Sequence, residues 1–268
     1  RHVPLDKIDT ASLHGAAALV LTNPGNPTGR VIPADRMRAL VTASQDAGAL
    51  LVIDEIYSDL IYEPAPPASS PLALYGTEMP QHVLLFRGFS KSLGLQSWRL
   101  GAAIGHPDRI ATMVAVHDPI YICGSFAQRA LATFLARDDG AAFAAHARGL
   151  SRLLARNAAL YATAFADALG WTAEPVEGAM YLMLRHTEET DEDAMIRALE
   201  VGVGVAPGSM FYGGAPANTH TVRVHTGSTG DNADAIVTRF LRRAGVTDER
   251  IAEVLASHPQ PTMDELSG

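Results

Sequence analysis

Two short apolar runs with a helical pattern between them constrain this chain more than any other feature. Ala16–Thr22 ends at Asn-Pro and Ala49–Ile53 ends at Asp-Glu, so each is bounded as a strand would be, and each is apolar on both alternating faces. Between them, residues 33–47 place Met37, Leu40 and Val41 at helical spacing and stop at Gly48. Strands with no polar face must be covered on both sides, which implies parallel strands joined by crossover helices. The expected fold class is therefore α/β.

The same texture continues to about residue 105, with strands expected at His82–Phe86 and Leu100–Ile104 and a helix at Asp108–His117 opened by Pro107. From Ser125 to Leu169 the chain is rich in Ala, Leu and Arg and predicts two helices broken at Asp138-Asp139-Gly140, the second long enough to bridge two domains. Past Gly170, strands are expected at Met180–Leu184, Val201–Val205 and Thr221–His225, and helices at Glu192–Glu200 and Asp231–Arg243. The tail from Thr247 promises one weak helical stretch and then loose chain. The reading is a mainly parallel sheet flanked by helices over residues 1–140, followed by an interdomain helix and a smaller C-terminal α+β domain over 141–268. The chain runs into a core strand within its first residues, as though it began inside the larger domain with an N-terminal part upstream.

With 21 Lys and Arg against 29 Asp and Glu the net charge is −8, and no basic stripe stands out to follow a phosphate backbone, so nucleic acid is not expected as a partner. No apolar stretch is long enough to span a bilayer. Cys123 is the only cysteine, which rules out an intrachain disulfide and a cysteine-based metal framework and fits a reducing cytoplasm.

In open parallel sheets ligands lie beyond the carboxyl ends of strands, and four such places carry chemistry here. The turn Asn23-Pro24-Gly25-Asn26-Pro27-Thr28-Gly29 projects amide side chains. At Asp54-Glu55-Ile56-Tyr57 a carboxylate ends a buried strand and needs a cationic neighbour, although a helix cap is an equally ordinary use for it. The stretch Gly88-Phe89-Ser90-Lys91-Ser92-Leu93-Gly94-Leu95-Gln96-Ser97-Trp98-Arg99-Leu100-Gly101 sets a lysine among small residues, where its amine could form a Schiff base or simply be solvated. In Thr221-Val222-Arg223-Val224-His225 a guanidinium lies between apolar neighbours and must meet an anion, either a bound carboxylate or a structural partner. Each bland alternative is sufficient singly; four together, in this order, favour one shared site.

NPGNPTG, DEIY, FSKSLGLQSWRLG and TVRVH resemble the class I/II aminotransferases, fold-type I enzymes dependent on pyridoxal 5'-phosphate (PLP). The resemblance covers essentially the whole chain, and relatives have well over a hundred residues ahead of its start. It implies that Lys91 forms the internal aldimine and shuttles the proton at the substrate α-carbon. It implies that Asp54 pairs with the pyridine nitrogen, Asn26 and Tyr57 bond the cofactor's 3′ oxygen, and Arg99 and Ser90 contact its phosphate. Arg223, with Asn26, would bind the substrate carboxylate. No metal is implied. Gly88 departs from relatives that carry Ser or Thr there for phosphate contact, and the phosphate turn and ring-stacking aromatic would precede Arg1.

The implied function is transfer of an amino group between an L-amino acid and a 2-oxo acid by a cytoplasmic homodimer. Residues 117–125 resemble a stretch near the subunit boundary. Tyr121 and His225 are set aside as more ordinarily explained by local hydrogen bonds. Other PLP chemistry on the same scaffold remains open, namely elimination, cyclisation or replacement as in members such as capreomycidine synthase. So does a PLP-sensing regulatory domain.

Overall fold

A computed structural model describes residues 8–64, 69–120, 124–212 and 218–267, so Tyr121 and Cys123 lie outside the described residues. The chain packs as two compact units. One contains residues up to Pro24 together with Val31–Arg148, and the other contains Gly25–Arg30 together with Gly149 onward.

In the first unit β1 (Ala18–Thr22), β2 (Leu50–Asp54), β3 (Val83–Gly88) and β4 (Gly101–Gly105) form one sheet in that order. The pairs β1–β2 and β2–β3 are parallel, and β4 returns antiparallel to β3. Leu51, Ile53, Val83 and Leu85 turn to one face and are fully buried against Met37, Leu40 and Val41 of α1 (Ala34–Asp46). These three are the side chains whose spacing announces the helix, so one periodicity sets both the element and its contact. The other face carries Val20, Val52, Asp54 and Phe86 and is far more open, Val20 being 68% exposed. A short helix absent from the sequence reading, α2 (Pro71–Tyr75), is started by the Ser70 hydroxyl, which accepts from the Leu72 N–H, and by Pro71 in its first turn.

Helices α3 (Pro107–His117), α4 (Ser125–Ala136) and α5 (Ala141–Leu169) follow. The expected break is a 3-10 turn over Arg137–Gly140, in which Asp138 and Asp139 adopt left-handed φ of 49° and 52°. The division between the two units falls inside α5.

The second unit has an antiparallel sheet in the order β5 (Thr172–Ala173), β6 (Tyr181–Arg185), β8 (Thr221–His225), β7 (Ala206–Pro207). Helices α6 (Asp191–Glu200), α7 (Gly230–Arg243), α8 (Asp248–Ser257) and α9 (Met263–Ser267) complete it. Its core joins Phe165 and Trp171, stacked at 5.7 Å between centroids, to Leu182, Leu184, Val222, Val224 and Phe240.

Two expectations need correction. Residues 201–205 are not a strand: Gly202 takes a left-handed φ of 91° and the Val203 N–H bonds the Ala198 carbonyl, so these residues end α6, and sheet pairing starts only at Ala206. The tail is not loose either. Thr247 caps α8, whose Ile251 and Val254 are buried, and Thr262 and Glu265 cap each other at α9. A Cβ on Gly149 would lie 2.1 Å from the Leu266 carbonyl oxygen, so a side chain there would push α9 off α5.

Candidate active site

The carboxyl ends of β1–β3 open on a cavity of about 450 Å³ in the first unit, a volume in the range of small-molecule sites. Its walls are apolar, from Val20, Val52, Ile56, Phe86 and Leu100, and its polar side chains are Asp54, Ser90, Arg99 and Arg87, the last already engaged with Glu55, Asp59 and Ser58. Sequence motifs separated by up to 45 positions thus converge on one place.

Asp54 is the last residue of β2, half-buried, and one carboxylate oxygen accepts the Ile56 N–H at 3.0 Å. Its other oxygen accepts nothing from the described residues. Tyr57 follows in the turn and is buried at 4% exposure. Lys91 comes directly after Ser90 in the loop that joins β3 to β4, and is half-buried. His146 of α5 meets the Ser92 carbonyl with Nε2 at 3.0 Å, which ties the backbone beside Lys91 to a long helix. Sequence reading had no signal for that contact, because the two residues are 54 positions apart.

Arg99 has a left-handed φ of 55° and its guanidinium bonds the Gln96 carbonyl at 2.9 Å. A non-glycine residue held in that region costs free energy, and such positions cluster at binding sites. Beneath the motif, Glu55 is fully buried with its N–H on the Phe86 carbonyl. Desolvation raises its pKa, opposed by the Ser70 hydroxyl and by the Arg87 guanidinium 3.5 Å away.

The two asparagines of the Asn-Pro turn have different duties. Asn23 is buried in the first unit: its side chain accepts the Ile32 N–H at 2.9 Å and donates to the Ser69 hydroxyl at 3.0 Å, so it shapes the loop. Asn26 is exposed, belongs to the second unit, and accepts from Arg223 Nη1 at 2.8 Å. The turn is anchored there through Gly29, whose carbonyl accepts the N–H groups of Glu177 and Gly178, and through an Arg30–Glu177 ion pair at 3.3 Å.

Arg223 sits mid-strand in β8 between two aromatic rings, with its guanidinium carbon 4.3 Å from the Tyr181 centroid and 4.6 Å from that of Phe211. Among the described residues no carboxylate lies within ion-pair distance of it. A structural salt bridge is thereby excluded within that set. A half-buried cation held by two rings and one neutral amide is poised for an external anion. Tyr181 and Phe211 were missed by sequence reading. His225 meets the edge of Tyr181 at 5.7 Å, in keeping with a local contact.

The family model described as aminotransferase class I and II matches residues 4–240. The aspartate/prephenate aminotransferase of Thermus thermophilus is 32% identical over 232 residues, which cover 85% of this chain and 56% of that protein. The aspartate aminotransferase of Thermococcus kodakarensis is 30% identical over 206 residues, covering 73% of this chain and 50% of the relative. Among solved structures, the aspartate aminotransferase of Thermus thermophilus with maleate superposes with a TM-score of 0.73 at 29% identity, over 89% of this chain and 59% of that one. The chain therefore spans about half to six-tenths of the length of the relatives it matches.

Proposed function

Since the chain belongs to the aminotransferase class I and II family, we propose that the protein moves an amino group between an L-amino acid and a 2-oxo acid with pyridoxal 5'-phosphate as cofactor. The observation that carries this reading is the cavity at the strand ends, where an acid, a hydroxyl and a guanidinium share one apolar chamber beside the Lys91 loop. That donor set fits the cofactor: a carboxylate for a cationic ring nitrogen, a hydroxyl and a guanidinium for a phosphate, and apolar walls for the ring. When bound, the cofactor supplies an electron sink for charge at the substrate α-carbon.

The chain's own residues do the rest. Asp54 would hold a proton on the ring nitrogen by charge pairing, and Ser90 and Arg99 would take the phosphate. Lys91 would anchor the cofactor through Nζ and, once displaced by the substrate amine, would carry the proton to and from the substrate α-carbon. Asn26 and Tyr57 would hydrogen-bond the ring oxygen. Arg223 takes the substrate carboxylate in a bidentate pair, with the Asn26 amide fixing one edge of its guanidinium. Binding the substrate by its carboxylate orients the bond to be broken.

The same reading carries a homodimer in the cytoplasm. Val114, Val116, Ile120 and Phe126 of the α3–α4 region are exposed apolar side chains of the kind a second subunit covers. No helix of the described residues is long and apolar enough to cross a membrane.

Reconstitution tests the reading. Pyridoxal phosphate should give a visible absorbance band that Lys91→Ala lacks, and borohydride should fix the cofactor to Lys91 in the mass spectrum. L-Aspartate, chosen because the relatives are named for it, should bleach the band and release a stoichiometric 2-oxo acid. Bleaching with ammonia release, or with a cyclic or unsaturated product instead of the oxo acid, would replace transamination by another reaction of the same cofactor.

A further inference from the structure

Asp191 is the most heavily coordinated buried acid among the described residues, and it touches nothing in the site above. Its carboxylate accepts the Ser209 N–H at 2.8 Å, the Thr219 N–H at 3.1 Å, the Thr219 hydroxyl at 2.7 Å and His186 Nε2 at 2.9 Å. His186 is itself buried between Trp171 and His220, each 5.9 Å away between centroids, and its N–H bonds the His220 carbonyl.

Ser209 lies two residues after β7 and Thr219 two residues before β8. Two residues past Ser209 comes Phe211, the ring that covers Arg223. Four residues past Thr219 comes Arg223 itself, paired with Ala206 of β7. Gly208 and Ser209 of that turn are buried, whereas Phe211 is half-buried and Met210 is 71% exposed, so the turn is held mainly at its start, where Ser209 meets Asp191. Gly208 belongs to the same device: a Cβ there would lie 2.2 Å from the Thr221 hydroxyl and 2.3 Å from that of Thr219. The two hydroxyls fill the space that a side chain would need.

A buried carboxylate is a poor way to gain stability alone, because an apolar plug of similar volume often does as well. It is a good way to fix direction, since each donor must point at it. We propose that Asp191 is a positioning residue for carboxylate recognition, holding Ser209 beside Phe211 and Thr219 at the approach to β8 so that Phe211 stays on Arg223 and the guanidinium keeps its edge free for the anion. This rests on the reading of Arg223 as the carboxylate site.

The test is a double-mutant cycle with succinate as the probe, its affinity for the full chain read by NMR titration. Asp191→Asn and Phe211→Ala should each weaken succinate about fivefold, the worth of one cation–π contact. The double variant should be no weaker than either single one, because both remove the same contact. Additive losses, or an Asp191→Asn protein that binds as the parent does, would overturn the proposal. If Asp191→Asn does not fold, Thr219→Val removes one hydroxyl donor while keeping the backbone one and should weaken succinate in the same direction; unchanged binding there also overturns it. Arg223→Ala separates the two levels. Binding that survives it refutes the carboxylate reading, whereas binding lost with Arg223 but indifferent to Asp191 refutes only the positioning role.

Discussion

Among the described residues each compact unit seals one acid from solvent, Glu55 in the first and Asp191 in the second, and their affinities for a proton move in opposite directions. Glu55 has a guanidinium beside it, that of Arg87 at 3.5 Å, yet its pKa is raised by desolvation. Asp191 suffers desolvation too, but the hydrogen bonds from Thr219, His186 and Ser209 bring it down to about 2. The difference lies in where the donors point. Arg87 is shared with Asp59 at 3.7 Å and gives its best hydrogen bond to Ser58 at 2.6 Å, so little of it reaches Glu55. Donors in contact with a carboxylate outweigh a nearby charge that is aimed elsewhere.

The largest effect expected from this contrast is that of Asp191→Ala. It leaves the Ser209 and Thr219 N–H groups, the Thr219 hydroxyl and His186 Nε2 facing an empty acceptor position. The cost should be about 3 kcal/mol or more, seen as a fall in the urea midpoint. A loss below about 1 kcal/mol would break the comparison.

Next comes the acid limb. The folded carboxylate of Asp191 stays ionised down to about 2, while the unfolded chain takes up its proton near 3.8. Its contribution is complete above the unfolded value and disappears as pH falls through that window, by roughly 2 kcal/mol. Urea titrations at pH 4 and pH 2 should show this slope in the parent and its absence in Asp191→Asn. The smallest effect has the opposite sign. With a folded pKa raised from 4.5, Glu55 is least costly below that value, and stability is lost as pH rises through the folded one. Glu55→Gln should be more stable than the parent at pH 8 by on the order of 1 kcal/mol and equal to it at pH 4, by thermal denaturation. A variant less stable at pH 8 would mean that Arg87 outweighs the desolvation after all.

Periodicity made the first unit legible. Met37, Leu40 and Val41 announced α1 and its buried face, and Asp54 and Arg99 were expected together because strand ends in such sheets converge, whereas Ser90 was expected only through the family resemblance. What sequence hid was contact across long separations. Nothing near His146 points to Ser92, and nothing in β6 marks Tyr181 as a ring for Arg223, since a tyrosine in a strand is ordinary core material. The false strand at 201–205 has a local cause: valines alternating with glycines mimic strand texture, and only the hydrogen bond from Val203 back to Ala198 reveals a helix end. The tail was misjudged because its order comes from docking on α5 through Gly149.

The Asn-Pro loop has a bearing on any attempt to take the protein apart. Gly25–Arg30 is embedded in the N-terminal half of the chain but belongs to the C-terminal unit. A protease nick within α5 would consequently free neither half in finished form, and a chimaera that borrowed residues from 149 onward would lack the Asn26 amide that braces Arg223. Six residues would have to travel with the graft, which makes this scaffold exchangeable only in two pieces at once.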